Sequence, residues 1–472
     1  MSTDPAPTTA TGADADRSLG FDRHHDVRQP ERWRPPQRRH TGSIVVGSLA
    51  VGLLTAVALA AAPFVPSRMN VLTGVVLLGF AFGWALLAVL SVRFSDQPQR
   101  WAAAPAVFLA LAGLISLLPP GSVVQDVFGW VWPPVLLGLV IWTILRAHRQ
   151  LRSRTRWWLV YPLLVVLALS SIGGGYETVR ESIDATAYPA PGQLIDVGGH
   201  RLHLNCTGTG SPTVVLEPGL GEVSSAMAWI APAVAQDTRV CVYDRAGRGW
   251  SDPADGPQDA VETARDLHTL LDRAHTPGPY VLAGHSFGGL YVLTFAATYP
   301  DQVAGLVLLD STAPKPGGAP PTKAGPYDPI GRISTLLSAT AHLGAAHLVG
   351  DSYDSLPARS RDEARATVST ARSVNSYLNE FREGAAVARQ AAALDDLAGK
   401  PLIVLTAGRG HDATWQAAQD KLATLSTNSR HRVVPDATHA SLYLDQTQSA
   451  AASQAIRDVV AAVRTDRALP PS

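Results

Sequence analysis

Hydrophobic residues are distributed very unevenly along the 472-residue chain. Between residues 42 and 175 nearly all side chains are apolar, and charged residues fall in short clusters. A helix needs roughly 20 apolar residues to cross the core of a bilayer. Five successive runs approach that length, and such runs joined by short loops would leave too little polar surface for a soluble bundle. The pattern predicts about five transmembrane helices, at about 43–65, 71–92, 102–118, 127–145 and 157–175.

Arginine residues between these runs predict the orientation. Residues 1–41 lack apolar periodicity and form a predicted disordered arm, which carries six arginines from Arg23 onward. Five more arginines lie in the 146–156 loop and two in the 93–101 loop, whereas the 119–126 loop has none. Cytoplasmic loops carry the excess of Lys and Arg. The N-terminus is therefore predicted in the cytoplasm, and an odd number of crossings places the rest of the chain outside it.

Two targeting signals are alternatives to a permanent anchor. Ala58-Leu59-Ala60 could be a signal-peptidase site, and Arg38-Arg39 could belong to a twin-arginine signal. Four more apolar runs follow, so cleavage there would not release the protein. We expect an uncleaved anchor and a multi-pass protein of the plasma membrane.

The pattern changes after residue 175. Residues 176–192 are predicted to be a linker, and residues 193–472 a globular domain in which short β-rich runs alternate with helical patterns. The middle runs are continuously apolar, as in parallel strands buried on both faces. An insertion of about ninety residues separates LVLLD from PLIVL, and insertions of this length are usually functional. We predict that its residues 313–397 form a lid.

Composition narrows the classes of partner and cofactor. The formal net charge is zero, which does not indicate a nucleic-acid partner. We find neither a His/Cys/Asp/Glu cluster with metal-ligand spacing nor a glycine-rich phosphate loop, so no metal and no cofactor are predicted. His411 and His431 are interpreted as exposed loop residues, and His285 as a packing residue.

One short motif carries the candidate chemistry. Gly284-His285-Ser286-Phe287-Gly288 lies between an apolar run and a helical pattern. This is the arrangement of a nucleophile elbow, in which small neighbours allow a tight turn that exposes the serine hydroxyl. The Phe287 N–H would lie at a helix start, where it can donate to an oxyanion. A glycine-framed turn without chemistry is the alternative.

With this elbow, three other stretches make the domain at residues 193–472 resemble the α/β-hydrolase superfamily, over essentially all of residues 193–465. They are LEPGLGEVSSAMAW from Leu216, YDRAGRGWSD from Tyr243, and Asp436-Ala437-Thr438-His439. The resemblance implies an eight-stranded, mostly parallel sheet with a helical lid. It implies that Ser286 is the nucleophile, His439 the base, and the N–H groups of Leu220 and Phe287 the oxyanion hole. The family's usual His-Gly is replaced here by Pro218-Gly219.

The acid that orients His439 has two candidates. Asp412 lies just after PLIVLTAG, where most of the superfamily carries its acid, although it could simply cap the following helix. Asp310 ends LVLLD, where some members carry theirs, although it could cap the turn at Ser311-Thr312. A buried Asp needs a partner, and His439 would supply one. We favour Asp310 and keep Asp412 as the alternative acid.

The same resemblance makes the strands that carry Cys206 and Cys241 neighbours in the sheet. Adjacent strands lie about 5 Å apart, within reach of a disulfide for suitable pairs. An extracytoplasmic domain permits oxidation. We therefore predict a Cys206–Cys241 disulfide, with two buried thiols as the alternative.

These observations predict a membrane-anchored serine hydrolase that acts on a small-molecule or lipid-like carboxylic ester outside the cytoplasm. A peptide substrate is an alternative, as is a hydrolase-like domain that only binds a ligand. A transporter with an accessory domain is a third alternative, which the scarcity of ionisable residues within the apolar runs disfavours. The sequence leaves the substrate and the oligomeric state open.

Overall fold

The computed structural model describes residues 41–95, 97–118, 123–150, 160–254, 256, 258–315, 329–343 and 353–470. Five helices form the N-terminal region of the described chain. Apart from Thr41, the predicted N-terminal arm lies outside the described residues. The helices correspond one to one with the five apolar runs. They are α1 (Thr41–Ala61), α2 (Met69–Phe94), α3 (Ala103–Ser116), α4 (Val123–Gln150) and α5 (Tyr161–Ala187).

Four of these helices contain a segment that is long and apolar enough to span a membrane, and α3 is shorter. Together with a short 3₁₀ turn, α3 covers only Arg100–Ser116. It ends just before Pro119-Pro120, in keeping with the inability of proline to continue a helix. The described residues thus contain five helices in this region, four of them long enough to cross a membrane, and the number of transmembrane helices remains a prediction.

Small residues allow α1 and α2 to approach closely. A Cβ added at Gly79 would lie 2.5 Å from the Cα of Ala56, and one at Gly52 would lie 2.7 Å from the Cα of Gly83. The small residues are four positions apart on each helix, so they lie on one face. Contacts between small residues are typical of helix pairs in membranes.

The predicted linker 176–192 is largely helical, which corrects its boundary. Helix α5 continues through Ala187 and leaves only five residues before β1. Residues 177–187 are polar but contain good helix formers, and Arg180 pairs with Asp184 one turn later. The boundary was predicted from the end of the apolar run at residue 175, but α5 continues beyond that run to Ala187.

The C-terminal domain is built on one eight-stranded sheet in the order β1-β2-β4-β3-β5-β6-β7-β8. The pairings β1–β2 and β2–β4 are antiparallel, and all the others are parallel. This confirms the predicted fold class. The strands are β1 (Gln193–Asp196), β2 (Arg201–Thr207), β3 (Val214–Glu217), β4 (Val240–Tyr243), β5 (Tyr280–His285), β6 (Val303–Leu309), β7 (Leu402–Ala407) and β8 (Ser429–Val434).

Both faces of the central strands are covered by apolar side chains. Tyr280 and Leu282 of β5 belong to a core on one face, and Val281 and Ala283 to a second core on the other. Burial on both faces explains why these strands read as continuous apolar runs. The helices outside the insertion are α6 (Ile230–Val234), α7 (Ala260–Arg273), α8 (Gly288–Thr298), α12 (Ala413–Ala423), α13 (Ser441–Leu444) and α14 (Ser449–Thr465).

The insertion between β6 and β7, which we call the lid, contains helices α9 (Pro329–Ala339), α10 (Ala358–Val368) and α11 (Ala371–Ala391). Helix α9 contacts the N-terminal helices. The Arg332 guanidinium donates to the carbonyl of Ala60 at 2.8 Å and also to that of Val65. Helix α11 packs on the hydrolase domain beside α8 and is also in contact with α9. The lid therefore connects the two regions of the chain.

Strands β2 and β4 are joined by a disulfide. Cys206 and Cys241 face each other in the antiparallel register, with their Cα atoms 4.0 Å apart. The two strands are neighbours, as the resemblance implied.

Candidate active site

Ser286 lies in the sharp turn between β5 and α8. Its backbone φ is +53°, a left-handed conformation that is strained for a residue with a side chain. The turn leaves no room for larger neighbours. A Cβ at Gly284 would lie 2.6 Å from the Gly288 carbonyl oxygen, and one at Gly288 would lie 2.4 Å from the Glu217 carbonyl oxygen. The two glycines are therefore a steric requirement of the elbow.

The Ser286 hydroxyl starts a continuous chain of hydrogen bonds. It donates to Nε2 of His439 at 2.8 Å, and Nδ1 of that imidazole donates to Oδ2 of Asp310 at 2.6 Å. With Nδ1 protonated, Nε2 is free to accept the serine proton. The arrangement can therefore generate a nucleophile.

Asp310 is completely buried immediately after β6, with a φ of +45°. Its carboxylate accepts four hydrogen bonds. Burial by itself would raise its pKa, but hydrogen bonds from His439, Trp415 and His411 outweigh burial and lower it. The carboxylate is therefore ionised at neutral pH. Besides His439, its donors are Nε2 of His411 at 2.6 Å, Nε1 of Trp415 at 3.0 Å and the Ala407 N–H at 3.2 Å.

Asp412, the alternative acid, caps a helix and has no hydrogen bond to His439 among the described contacts. It is the N-cap of α12, and its carboxylate accepts from the backbone N–H of Trp415 at 2.9 Å. The structure brings Asp310 to His439, and it gives Asp412 the capping geometry that the sequence had offered as an alternative.

His411 is not an exposed loop residue, so that interpretation was wrong. It contacts Asp310 and stacks on Trp415, with ring centroids 4.5 Å apart and planes 6° from parallel. Its side chain is only 13% exposed. His431 differs from the interpretation as well, because it lies within β8 and bonds Asp420 at 2.6 Å. Local spacing could not reveal the contact between His411 and Asp310, because 101 residues separate them.

Asp310, His411 and His439 are also the side chains that could hold a metal ion among the described residues. Their ligand atoms lie within 4.8 Å of one another. Spacing in the sequence could not predict this group, because His411 lies 101 residues and His439 129 residues after Asp310. Both imidazoles bond to the same carboxylate oxygen, Oδ2 of Asp310.

His285 supports the loop that carries the candidate base. Its Nε2 donates to the backbone carbonyl of His439 at 3.0 Å, and its ring packs against Tyr443. Burial lowers its pKa to about 3, helped by the neighbouring His439, so the ring is neutral at physiological pH. The prediction of a packing residue was incomplete because His285 also fixes the backbone next to the Ser286 partner.

The candidate oxyanion loop, which we define as Pro218–Gly221, follows β3. A Cβ at Gly219 would lie 3.2 Å from the Cβ of Ser286, so the loop passes directly beside the serine. Leu220 comes next in this loop. Phe287 is the N-cap of α8 on the other side of Ser286. The structure thus brings the backbone segments of both predicted N–H donors close to the hydroxyl.

A second buried His–Asp pair lies apart from Ser286. Nδ1 of His203 bonds Asp244 at 2.8 Å, and its Nε2 bonds the Pro191 carbonyl at 2.5 Å. His203 borders a cavity of about 410 Å³ that is also lined by Trp250 and Glu363. Because both ring nitrogens of His203 are engaged, this histidine is arranged to hold strands and loops together, and it has no nitrogen left to activate a nucleophile.

The fold of the C-terminal domain agrees with what known proteins show. Residues 212–446 match the family model of the alpha/beta hydrolase fold. An uncharacterized protein of Schizosaccharomyces pombe, C23C11.06c, is 36% identical over 156 residues, which cover 26% of this chain and 29% of that protein. The match therefore spans less than a third of that relative.

Two other relatives have names that refer to an activity. The probable transporter efuK of Hormonema carpetanum is 35% identical over 126 residues, covering 25% of this chain and 18% of that protein. The putative carbamate hydrolase RutD of Azorhizobium caulinodans is 32% identical over 116 residues, covering 25% of this chain and 43% of that protein. Each match covers less than half of the relative's length.

The sheet order, the turn at Ser286 and the family match lead to one conclusion. The C-terminal domain of this chain belongs to the alpha/beta hydrolase family, and it follows a region of apolar helices.

Proposed function

We propose that the protein is a membrane-anchored serine hydrolase that cleaves carboxylic esters by Ser-His-Asp catalysis. The hydrogen-bonded chain from Ser286 through His439 to the buried Asp310 carries this proposal. Only the middle residue of such a chain has to accept and return a proton. The buried carboxylate holds the imidazole in the required tautomer and stabilises its charged form.

The proposed reaction has two halves. Ser286 Oγ attacks the acyl carbon while its proton moves to Nε2 of His439, and the N–H groups of Leu220 and Phe287 donate to the oxyanion. His439 then protonates the departing alkoxide, which leaves as the alcohol. Water, deprotonated by the same imidazole, attacks the acyl-enzyme and releases the acid and free Ser286.

We also propose that the hydrolase domain lies outside the cytoplasm and that the apolar helices anchor it. The arginine-rich N-terminal arm and the five arginines of residues 146–156, which begin in the last turns of α4, support this orientation. The disulfide supports it independently, because disulfides persist in oxidising compartments and are rare in the cytosol.

A non-catalytic binding domain is the main competing function. A domain that only binds a ligand has no need for a serine hydroxyl, an imidazole and a buried carboxylate in hydrogen-bond contact. The strained backbone at Ser286 and Asp310 argues in the same direction, since strain of this kind clusters at functional sites. Both observations favour catalysis.

Labelling with a fluorophosphonate probe tests the proposed function. The full chain in detergent should be labelled covalently and should hydrolyse an activated ester, whereas Ser286→Ala should lose both properties. Ser224→Ala is a control, because Ser224 is a buried serine next to the His203–Asp244 pair. Equal labelling of wild type and Ser286→Ala, or no hydrolysis by wild type, would refute the proposal.

A further inference from the structure

A buried arginine lies directly behind the oxyanion loop. The side chain of Arg245, which follows β4, is only 3% exposed. Its Nη1 donates to the Pro218 carbonyl at 2.8 Å, and its Nη2 donates to the Gly219 carbonyl at 2.7 Å. In a trans peptide the N–H points opposite to the carbonyl of the same peptide unit. The Leu220 N–H, which shares a peptide unit with the Gly219 carbonyl, is therefore directed away from Arg245.

The lid supplies a second support for the same loop. Glu380 of α11 accepts from Arg245 through both carboxylate oxygens, from Nε at 2.9 Å and from Nη2 at 3.1 Å. Its Oε2 also accepts from the backbone N–H of Gly221 at 2.8 Å. The Glu380 side chain is only 2% exposed. One lid carboxylate thus holds both the arginine and the far end of the oxyanion loop.

Arg245 is fixed to the sheet by a third charged group. Its Nη1 donates at 2.6 Å to Oε1 of Glu217, the last residue of β3, which also accepts from the Tyr243 hydroxyl. The guanidinium therefore bridges a carboxylate on a rigid strand and a carboxylate on the lid. Because all three charged groups are buried, removing one leaves the others without compensation.

The contact between α11 and the loop is close at a second point. A Cβ at Gly221, whose φ is +74°, would lie 2.4 Å from Cδ2 of Tyr377. Tyr377 is one turn before Glu380 on α11, so the two side chains meet the loop from the same helix. The loop and the lid helix pack as one unit, and Gly221 has no room for a side chain.

We propose that Arg245 and Glu380 are positioning residues of the oxyanion hole, and that the lid completes the hole through Glu380. The inference rests on the proposed function and assigns a task to two residues outside the triad. Arg245 sets the direction of the loop peptides, and Glu380 holds Arg245 and Gly221 in place. A displaced α11 removes this support, so the site is competent only when the lid is docked.

Glu380→Gln tests the inference, because it removes the charge with little change in shape. We expect kcat on a soluble activated ester to fall by about 10²-fold, as for loss of one oxyanion donor. KM should change by less than about two-fold, since the hole acts on the transition state. Affinity for a boronic-acid transition-state analogue should fall with kcat. End-point fluorophosphonate labelling counts the active sites, so kcat refers to folded protein.

Glu363→Gln is the matched control. Glu363 is another lid carboxylate, on α10, and it pairs with Arg359 without a hydrogen bond to the oxyanion loop. This variant should keep the kcat of wild type. A Glu380→Gln enzyme with wild-type kcat, or one that loses kcat but binds the analogue normally, would overturn the inference.

Glu380→Asp decides the matter if Glu380→Gln does not fold. It keeps the charge but shortens the side chain by one methylene, so it should retain the melting temperature and lose kcat. Wild-type kcat in this variant would contradict the inference. A wild-type protein that hydrolyses no ester would instead refute the proposed function, so the two failures are distinguishable.

Discussion

Individual residues of the site are held in backbone conformations that neighbouring strands enforce. Ser286 and Asp310 both have positive φ, at a cost of about 1–3 kcal/mol each. The Ser286 N–H donates to the Leu309 carbonyl at 3.0 Å, and the Asp310 N–H donates to the Leu405 carbonyl at 2.6 Å. Backbone hydrogen bonds across β5, β6 and β7 therefore fix the spacing between Ser286 and Asp310.

The two aspartates should respond differently to the same substitution. We expect Asp310→Asn to lower kcat by about 10⁴-fold, because His439 loses the acceptor that holds its tautomer. Asp412→Asn should keep turnover and stability close to wild type, because asparagine is an equally good N-cap. Ester hydrolysis by both purified variants is the measurement. Loss of turnover in Asp412→Asn alone would identify Asp412 as the acid.

Ionisation of Asp310 should make stability depend on pH. Its folded-state pKa is below the ordinary value, because the hydrogen bonds from His439, Trp415 and His411 outweigh burial. A lowered folded-state pKa gives stability that is complete above the ordinary Asp value of about 3.9 and is lost as pH falls through the folded-state value. Below about pH 4, the Asp310 contribution to the free energy of unfolding should therefore shrink. Chemical denaturation of wild type and Asp310→Asn in detergent measures it, and a contribution that grows with acid would contradict the sign.

At the scale of elements, the ends of parallel strands and one inserted helix assemble the site. Ser286 follows β5, Asp310 follows β6, and His439 follows β8, so a single edge of the sheet presents all three. Helix α11 approaches that edge from the insertion and places Glu380 behind the oxyanion loop. Lid and sheet share one polar network, although 135 residues separate Arg245 from Glu380.

The β2–β4 disulfide should contribute measurably to stability. The cysteines are 35 residues apart, and a closed loop of that length corresponds to about 4 kcal/mol of lost unfolded-state entropy. Reduction should therefore lower the free energy of unfolding of the full chain by about that amount. Cys206→Ser/Cys241→Ser should show the same loss and no further response to a reductant. Mass spectrometry of a non-reduced digest that finds both thiols free in the native protein would remove the prediction.

For the whole molecule, the lid and the arginine distribution agree about sidedness. An N-terminus in the cytoplasm puts the end of α1 outside, and α9 contacts that end through Arg332. Asn70, at the start of α2, donates to the Leu118 carbonyl beyond α3 at 3.1 Å, so these two ends lie on the same side. The contact between the lid and these helix ends is therefore consistent with the proposed orientation, in which the hydrolase domain lies on that side as well.

Topology can be measured directly. A reporter that is active only in the cytoplasm should be silent when it is fused after Ser472 and active when it is fused before Gly42. The reason is the excess of arginine in the N-terminal arm and in the 146–156 loop. The N-terminal fusion serves as the control for expression. Activity of the C-terminal fusion would mean that the orientation is reversed or that the number of crossings is even.

Local patterns in the sequence were sufficient to predict the structural features that depend on a few neighbouring residues. Apolar runs predicted the N-terminal helices, and continuous apolar strands predicted a parallel sheet. The Gly-x-Ser-x-Gly motif predicted the turn at Ser286. These features depend on steric limits among a few neighbouring residues and on the burial of a single element. They can therefore be predicted without knowledge of the tertiary structure.

Only the tertiary structure decided which distant groups meet. Asp310 and Asp412 were both reasonable partners for His439, and the choice depended on where the β7–α12 loop lies relative to the end of β6. The same placement brought His411 to Asp310, against expectation. Glu380 reached the oxyanion loop through the path of a lid whose shape no spacing rule supplies. Contacts between residues more than a hundred positions apart depend on how whole helices and strands pack together. Short-range periodicity in the sequence does not determine that packing, so it could not predict these contacts.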